Sequence, residues 1–120
     1  MLFFLIYGMS GSGKTTISTE MSRFFLNKRI TTSIIPLDFF YKEKYPNSFD
    51  EPQAFDWRRL MAVIYKLKLN KEVILHPYNY ETKLYDTTRK HIIYPSNILI
   101  IEGIYANYCR FLLLENPAVI

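Results

Sequence analysis

Unbroken apolar runs alternate with helical stripes along this chain. Leu2–Tyr7 (LFFLIY) has no polar residue at every second place, the pattern of a strand covered on both faces. From Thr15 to about Asn27, Ile17, Met21, Phe24 and Phe25 recur at helical spacing and predict one apolar stripe. Lys28 and Arg29 follow where cations suit the helix dipole. Thr31–Ile35 (TTSII) is a β-branched run and predicts a second strand, with Pro36 removing a donor near its end. Asp38 to Phe55 reads as loop, with Pro46, Asn47, Ser48 and Pro52. Asp56 is placed to cap a second helix running to about Leu69, with Leu60, Ile64 and Leu67 on one face. Val73–Leu75 and Lys90–Ile93 are short strand candidates around a Tyr-rich segment. Ile98–Ile101 (ILII) predicts a third buried strand ending at Glu102-Gly103, and Tyr105–Leu114 a final helix.

Strands alternating with helices predict an α/β fold with a parallel sheet flanked by helices. Ligands of such sheets bind beyond the carboxyl ends of the strands. Three polar groupings fall at three such ends: Gly8–Thr15, Asp38 and Glu102. At 120 residues the chain has room for one domain, 1–120, with 49% hydrophobic and 22% charged residues. The net charge of +4 is spread without a basic run, which argues against nucleic acid as a partner and suits a small polyanion. One cysteine excludes an internal disulfide, and the first apolar run is too short for a membrane span or a leader. A soluble, cytoplasmic protein with no membrane partner is the expectation.

Gly8-Met9-Ser10-Gly11-Ser12-Gly13-Lys14-Thr15 matches G-x-x-x-x-G-K-[ST]. Glycines let the backbone curl so that several N–H groups meet one anion, and the next helix adds its unpaired donors and positive dipole end. Lys14 is placed to bridge terminal phosphates, and the Thr15 hydroxyl to ligate Mg²⁺. Gly8, Ser10, Gly11, Ser12, Gly13, Lys14, Thr15 and Thr16 are therefore the candidate nucleotide-binding residues, with ATP and Mg²⁺ as cofactors. Asp38 can serve as general base to an attacking hydroxyl, or simply form a turn. Glu102 can help hold Mg²⁺, or be a solvated charge at a strand end.

GMSGSGKTT, DFFYK, FDEPQAFD (Phe49–Asp56), HPYNY (His76–Tyr80) and PSNILIIEGIYA (Pro95–Ala106) resemble, in order, the segments of the uridine kinase (uridine–cytidine kinase) family within the phosphate-loop uridine kinase and phosphoribulokinase group. The resemblance implies the phosphate-loop NTPase fold and transfer of the ATP γ-phosphate to the 5′-hydroxyl of uridine or cytidine. It implies Lys14 and Asp38 as catalytic residues, and Thr15 and Glu102 at the metal. Tyr41, Asp50, Tyr78, Tyr80 and Lys83 fall at nucleoside-pocket positions, Asp50 facing the ribose hydroxyls and the aromatics the base. Read without the resemblance, Asp50 is a surface acid and the two tyrosines are half-buried strand residues.

Lys83 and Tyr85 stand where the family carries a His that reads the pyrimidine and an Arg, and His76 and His91 read as structural or surface residues. Lys83 can donate but not accept, which leaves the base preference open. Other acceptors within the group are nicotinamide riboside, pantothenate and ribulose phosphate. Family members are longer, with a further strand, an arginine-bearing lid and an adenine-binding loop. The expectation is a fold that stops after its third core strand, its apolar end either covered by a second copy or a completing chain or else promoting aggregation. A chain that binds ATP without catalysis is the remaining alternative.

Overall fold

A computed structural model describes the backbone of residues 2–7 and 14–110, and the side chains of residues 19–106 and 108–110. Its elements run β1 (Leu2–Tyr7), α1 (Lys14–Asn27), β2 (Thr32–Pro36), α2 (Trp57–Lys68), β3 (Val73–Leu75), β4 (Tyr78–Asn79), β5 (Leu84–Tyr85), β6 (His91–Ile93) and β7 (Ile98–Gly103). Three 3₁₀ turns interrupt them, at Leu37–Phe40, Pro52–Ala54 and Ala106–Tyr108.

The main sheet is parallel, in the order β1-β7-β2. β7 lies in the middle and every one of its residues is buried. Its run of isoleucine and leucine fits this place, because a strand covered on both faces gains about 1.5–3 kcal/mol per large apolar side chain buried. Leu99 and Ile101 join the core filled by Leu60, Val63, Ile64 and Leu67 of α2. The alternate positions Ile98, Ile100 and Glu102 lie on the opposite face. α1 packs against all three strands, and its Thr19 and Ser22 share a cavity of about 450 Å³ with Glu102.

Both ends of the sheet are held in register. At the amino end, Asn97 N–H donates to Thr31 Oγ1 at 3.1 Å while the Thr31 hydroxyl returns a bond to Asn97 Oδ1 at 2.9 Å. At the carboxyl end, Tyr7 pairs with Gly103, and Ile6 and Pro36 pair with Glu102. The segments that leave β1, β2 and β7 therefore start from one edge.

Several sequence expectations shift. β2 begins at Thr32 and takes in Pro36, whose missing N–H is tolerable on an edge strand. The ILII strand continues through Glu102 and Gly103, so Glu102 is a buried residue within β7 and not a solvated strand-end charge. The Asp38–Phe55 segment is not plain loop. It contains two 3₁₀ turns and a bridge between Tyr41 and Phe55. Phe24 leaves the predicted stripe of α1 and is 56% exposed. Asp56 caps α2 as expected, accepting from Arg59 N–H at 3.1 Å. The face of Leu2–Tyr7 and the tail from residue 111 lie outside the described residues.

Gly103 has φ +152°, and a Cβ built there would stand 2.7 Å from Leu37 Cβ. That atom is fixed to backbone, so the segment entering the Asp38 turn would have to move. Gly103→Ala is expected to cost about 1–3 kcal/mol, read as a lowered denaturation midpoint with an unchanged slope.

Candidate active site

The 3₁₀ turn Leu37–Phe40 follows β2 directly and carries Asp38, exposed, at the carboxyl edge of the sheet. Buried Leu37 and Phe40 anchor the turn on either side of it. Glu102 reaches the same edge from the middle of the sheet. Lys14, Thr15 and Thr16 form the first turn of α1, which is separated from the end of β1 by six residues. Gly8, Ser10, Gly11, Ser12 and Gly13 lie outside the described residues. Strand, glycine segment and helix thus stand in the order a phosphate loop requires, with the helix N-terminus following the glycines.

Beside Asp38 the chain gathers an aromatic cluster. Tyr41 stacks on Phe55 at 4.5 Å between ring centroids and meets Phe49 edge-on at 4.8 Å. Tyr78 and Tyr80 lie 5.5 and 5.8 Å from Tyr41. Phe49 completes the group at 5.8 Å from Tyr78 and 5.6 Å from Tyr80. Tyr41 and Tyr78 are buried, whereas Tyr80 is half-exposed. The separations suit edge-to-face contacts.

Lys83 adopts φ +58° in the turn joining β4 to β5. Its ammonium donates to the Tyr45 carbonyl at 2.8 Å and sits 5.4 Å from the Phe49 ring centre. Asp50 is exposed, and its carbonyl accepts from the Tyr105 hydroxyl. The structure therefore brings Tyr41, Tyr78, Tyr80 and Lys83 around Phe49, with Asp50 next to it in sequence.

The backbone after Asp38 is held from two sides. α2 supplies donors to two carbonyls: Arg59 Nη1–H to Phe39 at 2.6 Å and Asp56 N–H to Phe40 at 2.6 Å. The β4–β5 hairpin supplies the next two. The Tyr85 hydroxyl donates to the Tyr41 carbonyl, and the Tyr78 hydroxyl to the Lys42 carbonyl at 3.0 Å. Tyr78 and Tyr85 are themselves cross-strand partners.

The setting shifts the phenols. Burial first, then the nearby Tyr80, Asp38 and Asp50, pushes Tyr41 well above the ordinary tyrosine value. Tyr80 is raised to about 12 by burial and then by the Asp38 carboxylate. Tyr85 is also raised to about 12 by burial, against the lowering influence of Arg59. Asp38 thus shares its electrostatic surroundings with Tyr41 and Tyr80.

Sequence reasoning omitted Phe49, Tyr105 and Arg59. Phe49 stood at the head of FDEPQAFD, and its place in that segment was the signal available. Arg59 had none, being one of two adjacent arginines on a helix. His76 and His91 hold structural places as expected. His76 Nδ1–H donates to the Arg89 carbonyl at 2.6 Å, and His91 stacks on Phe39 with ring centres 5.0 Å apart.

Residues 4–114 match the model of the phosphoribulokinase / uridine kinase family. The chain belongs to this family. Uridine kinase of Mycoplasma pneumoniae is 37% identical over 109 residues, covering 82% of this chain and 49% of that protein. Uridine kinase of Ureaplasma parvum is 31% identical over 116 residues, covering 89% and 55%. The solved structure of a possible uridine kinase from Bacillus stearothermophilus superposes with a TM-score of 0.63 at 25% identity, over 85% of this chain and 60% of that one. The chain spans about half the length of the curated relatives it matches. Its sheet and helices have the phosphate-loop kinase fold of the family. Among the described residues no helix is long and apolar enough to cross a membrane.

Because the raised phenols favour the protonated state in the fold, their contribution to stability is complete below the unfolded value of 10.0. It is lost as pH rises from there through about 12. An alkaline titration followed by phenolate absorbance is expected to show Tyr41, Tyr80 and Tyr85 ionising late and together with loss of the near-ultraviolet dichroism.

Proposed function

We propose that this chain carries the phosphate loop and acceptor pocket of a nucleoside kinase that transfers the γ-phosphate of ATP to the 5′-hydroxyl of uridine or cytidine. The observation that carries this reading is the juxtaposition of Asp38, on its turn at the carboxyl edge of the sheet, with the Tyr41–Phe49–Tyr78–Tyr80 cluster. A carboxylate base beside an aromatic acceptor site, in a chain whose G-x-x-x-x-G-K-T pattern runs from the end of β1 into the start of α1, suits transfer of a phosphoryl group to a hydroxyl on a flat-ringed molecule.

In this reading Asp38 accepts the proton of the 5′-hydroxyl as that oxygen attacks the γ-phosphorus, and the bond to the β,γ-bridging oxygen breaks to release ADP. Lys14 and the N–H groups at the start of α1 hold the phosphates and offset the charge that develops on them. Asp50 accepts from the ribose hydroxyls, while the aromatic rings hold the base by edge and face. A hydroxyl from Thr15 and a carboxylate from Glu102 are hard oxygen donors, the set that fits Mg²⁺. Among the described residues no cluster of three or more acidic, His or Cys side chains forms a cation cage. Mg²⁺ supplies charge neutralisation between the phosphates when bound.

Lys83 bears on the acceptor. Its ammonium donates at the rim of the cluster and cannot accept, so it favours an acceptor presenting a carbonyl there, which both pyrimidine nucleosides do through the base oxygen.

Incubation of the chain with Mg-ATP and uridine tests the reading. UMP is the expected product, lost in Lys14→Ala and reduced about 10²–10⁴-fold in Asp38→Asn. ATP binding without UMP from uridine, or CMP from cytidine, would leave a nucleotide-binding chain and remove the nucleoside kinase assignment.

A further inference from the structure

Asp38 stands in a 3₁₀ turn of four residues, an element too short to fix its own geometry. What fixes it is the set of donors to the carbonyls of residues 39–42, two from α2 and two from the β4–β5 hairpin. These two supports meet at one place. The Arg59 guanidinium carbon lies 4.4 Å from the Tyr85 ring centre and 5.0 Å from that of Phe40. One side chain therefore donates to the Phe39 carbonyl, covers the face of the residue that donates to Tyr41, and packs on the turn between them.

We infer that Arg59, seated on Tyr85, is a positioning residue that sets the place of Asp38 and Tyr41. The inference rests on the kinase reading above and deepens it. The guanidinium suits the role. It is planar, always charged and able to stack by its face while donating from its edge, which an ammonium does less well. Its backbone is fixed as well, because its own N–H is the donor to the Asp56 cap. Asp56 N–H in turn donates to the Phe40 carbonyl, so the start of α2 and the Asp38 turn are tied by two neighbouring bonds. Tyr85 divides the labour. Its ring carries the Arg59 guanidinium, and its hydroxyl reaches the Tyr41 carbonyl directly. Loss of Arg59 should therefore be felt at the base, and loss of the Tyr85 hydroxyl at the acceptor pocket.

The test compares Arg59→Met, Arg59→Lys and Tyr85→Phe with the parent chain, first by amide hydrogen exchange. Two amides report the clamp: Asp56 N–H on the Phe40 carbonyl and Lys42 N–H on the Ala54 carbonyl. Arg59→Met is expected to exchange roughly tenfold faster at both, with the β7 amides unchanged and Arg59→Lys intermediate. In the uridine assay Arg59→Met should lower kcat about 10–100-fold with the ATP KM unaltered, as for a misplaced base. Tyr85→Phe should chiefly raise the uridine KM. Parent-like exchange at both amides in Arg59→Met would overturn the inference, as would an equal acceleration throughout β7, the mark of a merely destabilised fold. Exchange decides the positioning role whether or not the chain makes UMP, and absence of UMP counts against the kinase reading alone.

Discussion

The burial of β7 between two parallel neighbours is the constraint from which the rest of this molecule follows. A strand of six buried residues must have partners on both edges and cover on both faces. β1 and β2 provide the edges, in a register that pairs Ile6 and Pro36 with the same residue, Glu102. α1 and α2 provide the cover. Because all three strands run the same way, the carboxyl ends of β1, β2 and β7 fall together, and the Asp38 turn and the buried Glu102 are brought to one edge. The position of the chemistry is thus set by a packing requirement some distance from it.

The second layer of organisation is built from aromatic rings and backbone carbonyls. Between β2 and α2 the chain has little regular structure, yet it is not loosely held. Phe40 and Phe55 are almost entirely buried, and Tyr41 stacks on Phe55 and bridges to it by backbone. Tyrosine suits this region because it supplies a large apolar face and a donor at its tip. Tyr78 and Tyr85 use both, packing against each other at 5.3 Å and reaching successive carbonyls with their hydroxyls. The same burial raises their affinity for protons, so they keep these donors well into the alkaline range.

Much of this could be read from order and pattern alone. The runs LFFLIY and ILII are strands, Asp56 is a cap, and Leu60, Ile64 and Leu67 are the buried face of α2. Each was legible because the deciding interactions are local: the spacing of apolar residues, or one side chain reaching three residues ahead. The family segments likewise pointed to Tyr41, Tyr78, Tyr80 and Lys83, which the fold gathers around Phe49. Less could be read where a residue has its meaning from distant partners. Glu102 reads either as a metal-holding acid or as a solvated strand-end charge until β1 and β2 pair on both sides of it, and Phe24 looks like core until α1 is turned to leave it in water.

The sequence by itself determined the alternation of strands and helices, the parallel sense of the sheet and the presence of a phosphate-loop pattern before a helix. Periodicity and glycine spacing are properties of neighbouring residues and survive without a fold. Only the tertiary structure decided that Arg59 rather than its neighbour Arg58 reaches the Asp38 turn, that Tyr85 supports Tyr41, and that Gly103 must leave room for Leu37. Those facts depend on which helix face meets the sheet and where a hairpin closes. They arise from contacts between residues tens of positions apart, which no local pattern encodes.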